Sequence, residues 1–251
     1  MLDILLLGCA GKMGSAVAQL AREEDARFCI RAGVDCRHDE YTGLFPVFSK
    51  IEEMNIPVDV VVDFSVPEIL TDTIAWCSES GTPYVVGTTG ISSAQCKVLE
   101  SASRQIPIFQ SSNMSLGIYV LNELALYAQK LLGEEFDIEI IEKHHSRKVD
   151  APSGTALSIA RSLREADRAL FFTYGRNGKK PRANDEIGIH AVRGGTIAGE
   201  HDLLFAGADE TLTLSHAAAS RMVFARGALR AAEWLVRQPA GKYTMKDLIG
   251  A

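Results

Sequence analysis

The chain has 251 residues and a mass of 27.2 kDa, with 47% hydrophobic residues, 23% charged residues and a net charge of −6. The apolar content excludes a predominantly disordered chain, and no apolar run approaches the roughly 20 residues of a membrane-spanning helix. The acidic balance argues against general nucleic-acid binding.

The first 115 residues alternate short apolar runs with segments of helical periodicity. Strands are predicted at Leu2–Leu7, Phe28–Asp35, Val58–Phe64, Tyr84–Gly87 and Pro107–Gln110, and helices at Met13–Arg22, Glu68–Ser80 and Ser92–Arg104. This alternation predicts an α/β fold in which parallel strands form a Rossmann-like, doubly wound sheet.

After residue 115 the pattern changes. Helices are predicted at Leu116–Leu132, Thr155–Arg164 and Met222–Val236, and strands at Asp137–Glu142, Glu186–Val192, Asp202–Phe205 and Leu212–His216. Glycines between the last three strands predict turns of an open, mixed or antiparallel sheet, and hence a second α+β domain. We expect a first domain over residues 1–115 and a second over 116–221. A C-terminal helical segment, 222–251, is expected to return to the first domain.

Basic charge is concentrated in one segment. Between Lys143 and Arg193 there are 11 Lys and Arg against 5 Asp and Glu, a local charge of +6, so the remaining residues sum to −12. An acidic protein with one basic segment suggests a site for an anionic small molecule. A solvated basic face is the alternative from charge alone.

A glycine-rich loop, Gly8–Gly14, connects the first strand to the first helix. Glycines let the backbone approach a pyrophosphate, and the helix N-terminus offers unpaired N–H groups. The spacing is G-x-x-G-x-x-G rather than the common G-x-G-x-x-G, so a turn without a ligand is the alternative. The residues of this loop predicted to bind a dinucleotide are Gly8, Cys9, Ala10, Gly11, Lys12 and Met13.

An acidic residue, Asp35, stands at the expected end of the second strand. In that place a carboxylate can bind a ribose 2′-hydroxyl, which favours NAD, although the position also suits a surface turn. Lys12 and Arg37 favour NADP, because either could meet a 2′-phosphate. We therefore expect NADH, NADPH or both to serve as cofactor.

Two more loops follow predicted strands at their carboxyl ends, where ligands bind in parallel sheets. Small and hydroxyl side chains there suit a flat ring with a carboxamide, although each loop alone also fits an ordinary turn. The residues predicted to complete the cofactor site are Gly87, Thr88, Thr89, Ser111, Ser112, Asn113 and Met114.

The stretch Glu142–Ala156 leads from a predicted strand into a predicted helix. Ser153 is a plausible N-cap, so the amides of Gly154 and Thr155 would form a site for a carboxylate or phosphate. His144, His145 and Lys148 add proton donors and positive charge, which suits general acid chemistry on an anion. The two histidines point to opposite sides if the segment is extended, so only one of them would face a substrate.

The residue types of this loop also allow two other interpretations besides an anion-binding site with a proton donor. The pair His144–His145 could ligate a metal, but no third ligand stands at a recognisable spacing, so no metal site is expected. A plain solvated loop is the second alternative.

The stretch Glu142–Thr155, with its E-x-H-H and K-x-D-A-P-S-G-T-A pattern, closely resembles the dihydrodipicolinate reductase family, now called 4-hydroxy-tetrahydrodipicolinate reductases. The loop G-x-x-G-x-M-G at Gly8–Gly14 matches the family's unusual spacing. Further matches follow in order along nearly the whole chain: Asp63–Ser65, Gly87–Gly90, Asn113–Ser115, Gly199–His201 and Ser220–Arg221.

The resemblance implies an enzyme of lysine and diaminopimelate biosynthesis. It would reduce 4-hydroxy-2,3,4,5-tetrahydrodipicolinate to tetrahydrodipicolinate with NAD(P)H and loss of water. By position, His144 matches the proton donor and Lys148 the lysine that binds the substrate. His145, Ser153, Gly154 and Thr155 match or adjoin substrate-binding positions. The first domain would bind the dinucleotide, and the second would bind the substrate and form a homotetramer.

The five cysteines all lie in the first 100 residues without a CxxC pair, which predicts free thiols in a reducing cytoplasm. Two other functions compete with the reductase. A dinucleotide sensor would need the glycine loop but not the histidine cluster. A different amino-acid dehydrogenase of similar plan would oxidise a free amino acid.

Overall fold

The computed structural model describes residues 1–24, 27–167 and 169–250. These residues form two compact units. Unit 1 comprises Met1–Ser115 with Arg221–Ala251, and unit 2 comprises Leu116–Ser220.

Strands and helices alternate through most of the chain. The strands are β1 (Leu2–Leu7), β2 (Phe28–Val34), β3 (Val47–Phe48), β4 (Val60–Asp63), β5 (Tyr84–Val86), β6 (Pro107–Gln110), β7 (Asp137–His144), β8 (Phe171–Tyr174), β9 (Glu186–Arg193), β10 (Gly199–Ala206), β11 (Thr211–Ala218) and β12 (Gly241–Tyr243). The helices are α1 (Lys12–Glu23), α2 (Leu70–Ser80), α3 (Ser93–Ala102), α4 (Leu116–Leu132), α5 (Gly154–Ala166), α6 (Met222–Leu235) and α7 (Met245–Ile249).

Unit 1 contains a parallel sheet in the order β3-β2-β1-β4-β5-β6-β12. The first six strands have the order of a doubly wound, dinucleotide-binding sheet, which confirms the predicted Rossmann-like fold. Leu7 at the end of β1 is level with Val34 of β2 and Asp63 of β4, so the loops after these strands emerge together. Ligands bind at this edge in such sheets.

The core of unit 1 explains why the apolar runs are nearly continuous. Strands β1, β4 and β5 are buried along almost their whole length, because helices cover both faces of a parallel sheet. Each fully buried Leu, Ile or Val side chain stabilises the fold by about 1.5–3 kcal/mol. Helix α6 packs against α1 and the central strands, and a Cβ at Gly227 would overlap the Met114 carbonyl.

Unit 2 contains a mixed sheet in the order β11-β10-β7-β9-β8. Strand β10 is antiparallel to β7 and β11, whereas β7, β9 and β8 run parallel. Alternate residues of β7, namely Ile138, Ile140 and Glu142, are buried and share a face with the hydrophobic core that α4 and α5 complete. The predicted mixed sheet is therefore confirmed.

Several boundaries differ from the sequence-based expectations. Strand β7 continues two residues past the predicted end, so His144 is the last residue of a strand and not part of a loop. Strands β3, β8 and β12 were not predicted, because they have 2, 4 and 3 residues and show too little alternation to be recognised. The segment 222–251, expected to be helical, forms a helix only in α6 and in the short α7, with strand β12 between them.

Among the described residues, no helix is both long enough and apolar enough to cross a bilayer.

Candidate active site

The glycine loop of unit 1 is shaped by close backbone contacts. Gly8 has φ of +72°, and its N–H donates to the Val34 carbonyl at 2.8 Å. A Cβ at Gly8 would lie 2.6 Å from the Phe64 carbonyl oxygen, and a Cβ at Gly14 would overlap the Gly8 carbonyl. Positions 8 and 14 therefore require glycine for packing, apart from any role in ligand binding.

Asp35 joins this loop to the end of β2. One carboxylate oxygen accepts a hydrogen bond from the Ala10 amide at 2.9 Å, and the other accepts from the Arg37 amide at 2.9 Å. The Asp35 side chain is buried, while Arg37 is exposed. The carboxylate thus holds the loop in place and retains further lone pairs for a ribose hydroxyl.

A cavity of about 440 Å³ lies beside the Asp35 carboxylate. Its lining includes Gly8, Asp35, Arg37, Ser49, Lys50 and Phe64. Ser49 and Lys50 were not among the predicted cofactor residues. They follow the two-residue strand β3, and no local sequence pattern indicated that this strand lies next to β2.

The Gly87–Gly90 loop rests on a buried carboxylate. Asp63, at the end of β4, accepts hydrogen bonds from the hydroxyls of Thr88 at 2.9 Å and Tyr84 at 2.5 Å, and from Ser65. Burial, and then the Asp63 charge, raises the pKa of the Tyr84 phenol well above its usual value. The Thr88 hydroxyl therefore supports the loop, while Thr89 is exposed.

The remaining predicted cofactor residues lie at the starts of two helices. The Ser111 hydroxyl donates to the Asn113 carbonyl at 2.7 Å, and the Asn113 side chain accepts from the Ser115 amide at 2.8 Å just before α4. Met114 is buried and Ser112 is exposed. At the start of α1, Lys12 is exposed and Met13 is partly buried. Burial, and then Asp35, raises the pKa of the Cys9 thiol to about 11, so this thiol stays protonated.

In unit 2, the proton donor proposed from the sequence contacts a buried glutamate. The His144 Nδ1 atom lies 2.6 Å from a carboxylate oxygen of Glu142, two residues earlier in β7. Arg193, at the end of β9, donates to both oxygens of the same carboxylate at 2.7 Å. The Ser153 amide completes the set at 2.9 Å.

The charge of Glu142 is maintained by these partners. Burial alone would raise the pKa of the Glu142 carboxyl, but hydrogen bonds from Arg193 and His144 lower it from its usual value. The hydrogen bond to Glu142 in turn raises the pKa of the Arg193 guanidinium. Glu142 is therefore an ionised carboxylate within the core of unit 2.

Helix α5 begins as predicted from its cap. The Ser153 hydroxyl accepts from the Ala156 amide at 3.1 Å, and Ala156, Ile159, Ala160 and Leu163 form its buried face. Gly154 is exposed and nothing lies within 4 Å of where its Cβ would be, while Thr155 is partly buried. An exposed helix N-terminus of this kind can bind an anion.

A second histidine packs against the same cap. His201 Nε2 lies 3.0 Å from the Ser153 hydroxyl, and its ring meets the His144 ring edge to face at 5.3 Å between centroids. Burial, and then the proximity of His144, lowers the pKa of His201 to about 4, so His201 is neutral at pH 7.

The predicted substrate lysine lies in a turn held to the β9–β10 connection. The Lys148 amide donates to the His145 carbonyl, and the Ser146 amide donates to the Gly195 carbonyl. Lys148 Nζ contacts both carboxylate oxygens of exposed Asp150, at 2.8 and 2.9 Å. His145 is partly buried at the start of this turn.

The Glu142 carboxylate brings together His144 and Ser153, two of the predicted residues. Glu142, Arg193 and His201 were not assigned a role from the sequence. Glu142 and His201 lie within the recognised motifs, so their positions were visible even though their contacts were not. Arg193 is brought to the site by the register of β7 and β9, which pairs it with His144.

A larger cavity, of about 720 Å³, lies in unit 2 between the end of α4, the end of α5 and the start of β7. None of the predicted site residues lines it. Within the described ranges, no group of three or more His, Cys, Asp or Glu side chains is arranged to hold a metal ion.

Comparison with known proteins identifies the family. Residues 2–114 match the family model described as dihydrodipicolinate reductase, N-terminus, and residues 117–249 match dihydrodipicolinate reductase, C-terminus. A 4-hydroxy-tetrahydrodipicolinate reductase of Caldanaerobacter subterraneus subsp. tengcongensis is 49% identical over 99% of this chain and 98% of its own length. A reductase of the same name from Clostridium novyi is 44% identical over 99% of this chain and 98% of its own length.

A solved structure agrees in fold. The dipicolinate-bound dihydrodipicolinate reductase from Paenisporosarcina sp. TG-14 has a TM-score of 0.80 and 24% identity, with 99% of each chain covered. The chain therefore belongs to the dihydrodipicolinate reductase family and is an oxidoreductase of lysine and diaminopimelate biosynthesis.

Proposed function

We propose that the protein reduces 4-hydroxy-2,3,4,5-tetrahydrodipicolinate to tetrahydrodipicolinate with NAD(P)H and loss of water. The observation that carries this proposal is His144 bonded to a buried carboxylate, next to the open N-terminus of α5. An imidazole that can donate a proton, linked through Glu142 to a helix N-terminus that can bind an anion, supports reduction of a cyclic, unsaturated dicarboxylate.

Binding of the substrate is assigned to the segment from His145 to Thr155. The amides of Gly154 and Thr155 would receive one carboxylate, because a helix N-terminus directs N–H groups and a partial positive charge towards an anion, and Gly154 is exposed. Lys148 would bind the substrate carboxylate in exchange for its contact with exposed Asp150. His145 and the Ser153 cap would complete the site.

The reaction needs a hydride and a proton. A nicotinamide held by unit 1 would supply the hydride, and an electron-poor ring carbon of the substrate would receive it after the 4-hydroxyl had left as water. Negative charge then develops on the adjacent carbon. His144 gives its proton there, and the Lys148 ammonium stabilises the charge as it forms.

Cofactor binding is assigned to unit 1. The loop Gly8–Met13 would receive the pyrophosphate at the start of α1, and the cavity beside Asp35 would receive the adenosine half. Gly87–Thr89 and Ser111–Met114 would line the nicotinamide end. Exposed Lys12 and Arg37 could pair with a 2′-phosphate, and Asp35 could bind a ribose hydroxyl, so either NADH or NADPH is expected to serve.

We further propose a cytoplasmic homotetramer in which unit 2 provides the subunit interface. The five cysteines are free in the described structure, in agreement with a reducing compartment. Pairing of unit 2 sheets across subunits would bury apolar surface in a symmetric assembly. Light scattering would measure the mass, and a monomer at micromolar concentration would contradict this part of the proposal.

A coupled assay tests the function. Dihydrodipicolinate synthase would generate the unstable substrate from pyruvate and aspartate semialdehyde, and nicotinamide absorbance would be followed with NADH and NADPH in parallel. Oxidation that depends on the synthase is the expected result, and the ratio of rates gives the cofactor preference. Nucleotide binding without oxidation would favour a sensor, and ammonia release from a free amino acid would favour a different dehydrogenase.

A further inference from the structure

We infer that Glu142 is a positioning residue for His144. It keeps Nδ1 of the ring protonated, so that the proton transferred to the substrate is the one on Nε2. It also sets the distance between His144 and the anion site at the start of α5. This inference rests on the proposed function, because it assigns a partner to the proton donor. Glu142 itself does not reach the reacting atoms. It is fully buried and acts through His144 and Ser153.

The Glu142 carboxylate is saturated with donors. One oxygen accepts from His144 Nδ1 and from Arg193, and the other accepts from Arg193 and the Ser153 amide. An ionised carboxylate has about four lone-pair sites, so all of its acceptor capacity is used. The side chain consequently has one orientation, and each partner has a defined place.

This arrangement decides the protonation pattern of His144. An ionised carboxylate accepts hydrogen bonds and cannot donate one, so the ring nitrogen that faces it, Nδ1, must carry a proton. When the ring carries a single proton, that proton is on Nδ1. When the ring carries two protons, the second is on Nε2. This atom lies beside Gly199, where an added Cβ would be 3.1 Å from it. Only the Nε2 proton is free to be transferred.

Arg193 stabilises the ionised form of the carboxylate. Its two hydrogen bonds to Glu142 are parallel and charge-assisted, and it also donates to the Asp150 carbonyl at 2.6 Å in the substrate loop. Arg193 therefore links the carboxylate to the turn that carries Lys148. Without it, the buried Glu142 would lose its main compensation for burial.

The same carboxylate also determines where the proton donor lies relative to the bound substrate. His144 ends β7 and Ser153 caps α5, and both are bonded to Glu142. Misplacing either group by about 1 Å can cost roughly 10²-fold in rate. Loss of Glu142 should therefore lower kcat and weaken binding of the dicarboxylate, while residues of unit 1 keep their affinity for the cofactor.

The first test measures the wild-type protein and uses a variant only to assign the His144 signal. Solid-state ¹⁵N NMR of the wild-type protein labelled at its six histidines reports which ring nitrogen is protonated, and the signal lost in His144→Gln assigns His144. At a pH where the ring carries one proton, the expected form has the proton on Nδ1. A proton on Nε2 in that form would overturn the inference.

The second test compares two glutamates of the same strand. Glu142→Gln should lower kcat by about 10²-fold or more and leave the cofactor KM near the wild-type value, because an amide no longer imposes one tautomer. Glu139→Gln is the matched control. Glu139 also pairs with a histidine and an arginine, His190 and Arg182. The bond that links Glu142 to α5 is the one from the Ser153 amide. Its kcat should match the wild type in protein of the same oligomeric state.

The possible outcomes distinguish failure of the positioning role of Glu142 from failure of the proposed reductase function. A folded Glu142→Gln variant with wild-type kcat and KM would overturn the positioning role. If Glu142→Gln does not fold, the wild-type NMR result decides alone. If the wild type fails to oxidise NADH or NADPH in the coupled assay, the proposed function is wrong, whereas the tautomer of His144 remains measurable.

Discussion

Two clusters of the same three residue types form around two glutamates of β7. The inner cluster consists of Glu142, His144 and Arg193, and the outer cluster consists of Glu139, His190 and Arg182. In each, a glutamate of β7 meets a histidine ring nitrogen, at 2.6 Å in the inner cluster and 2.7 Å in the outer one. In each, the arginine donates to the glutamate carboxylate, at 2.7 and 3.1 Å respectively.

The two clusters differ in what surrounds the glutamate. The Glu142 side chain is 0% exposed and receives the Ser153 amide at the start of α5, whereas the Glu139 side chain is 20% exposed. In the outer cluster Arg182 also binds Asp137, and Arg176 pairs with Glu186, so acidic and basic groups form an open network. Partly exposed ion pairs contribute little to stability. Burial of the glutamate and its bond to a helix N-terminus therefore distinguish the inner cluster, to which we assign the proposed catalytic role.

The largest expected effect comes from removing the proposed proton donor. His144→Gln should lower kcat by roughly 10²–10⁴-fold, because glutamine cannot act as a general acid. His190→Gln removes the histidine of the outer cluster and should retain wild-type kcat. Both are measured in the coupled assay, with cofactor affinity determined by fluorescence titration. Equal losses in the two variants would show that the inner cluster has no special role.

Loss of the lysine proposed to bind the substrate should have the next largest effect. Lys148→Ala should raise the dicarboxylate KM and lower kcat, by roughly 10–100-fold in kcat/KM, as expected for a charge-assisted hydrogen bond of about 1.5–3 kcal/mol. Cofactor binding should be unchanged. Lys143→Ala is the control, because Lys143 pairs with Glu200 and Asp202 on the strand next to β7. Wild-type turnover in Lys148→Ala would remove its assigned role.

The buried His201 should make stability depend on pH. Its pKa is about 4 in the folded protein, against 6.5 for an unperturbed histidine, so the unfolded chain binds an additional proton between these values. Stability from this group is complete above pH 6.5 and is lost as the pH falls towards 4, by about 3 kcal/mol. Urea unfolding at pH 7 and pH 4.5 should give a smaller difference for His201→Gln than for the wild type. An equal difference would contradict the prediction.

The smallest effects are expected from two glycines, one beside each cluster. Gly199→Ala should lower kcat a few-fold, because its Cβ would lie 3.1 Å from His144 Nε2 and restrict access to the proton. Gly188→Ala would crowd the Glu139 carboxylate and should lower stability by about 1–3 kcal/mol with little change in kcat. Assays and urea unfolding of both variants measure the difference. A loss of kcat in Gly188→Ala but not in Gly199→Ala would contradict the assignment of catalysis to the inner cluster.

Local patterns were sufficient for much of the fold and part of the site. The runs Leu2–Leu7 and Pro107–Gln110 match β1 and β6 residue for residue, and Leu116–Leu132 matches α4. Leu2–Leu7 is strongly apolar and Leu116–Leu132 is long, so local periodicity alone identifies these two segments. Ser153 was identified as a cap from its position before a helical repeat.

The remaining features depend on residues that are distant in the chain. Strands β3 and β12 exist because a neighbouring strand edge was available to pair with them, which their few residues do not reveal. Arg193 reaches Glu142 across 51 positions through the β7–β9 register.

The sequence by itself determined the alternating architecture, the glycine loop, the histidine motif and the family resemblance, because each of these is a local pattern of residue types. Only the tertiary structure decided that Glu142 is the shared partner of His144, Arg193 and Ser153, and that Glu139 is not. Two glutamates three positions apart in one strand point to opposite faces of the sheet. Which face is buried under a helix is set by packing across the whole unit.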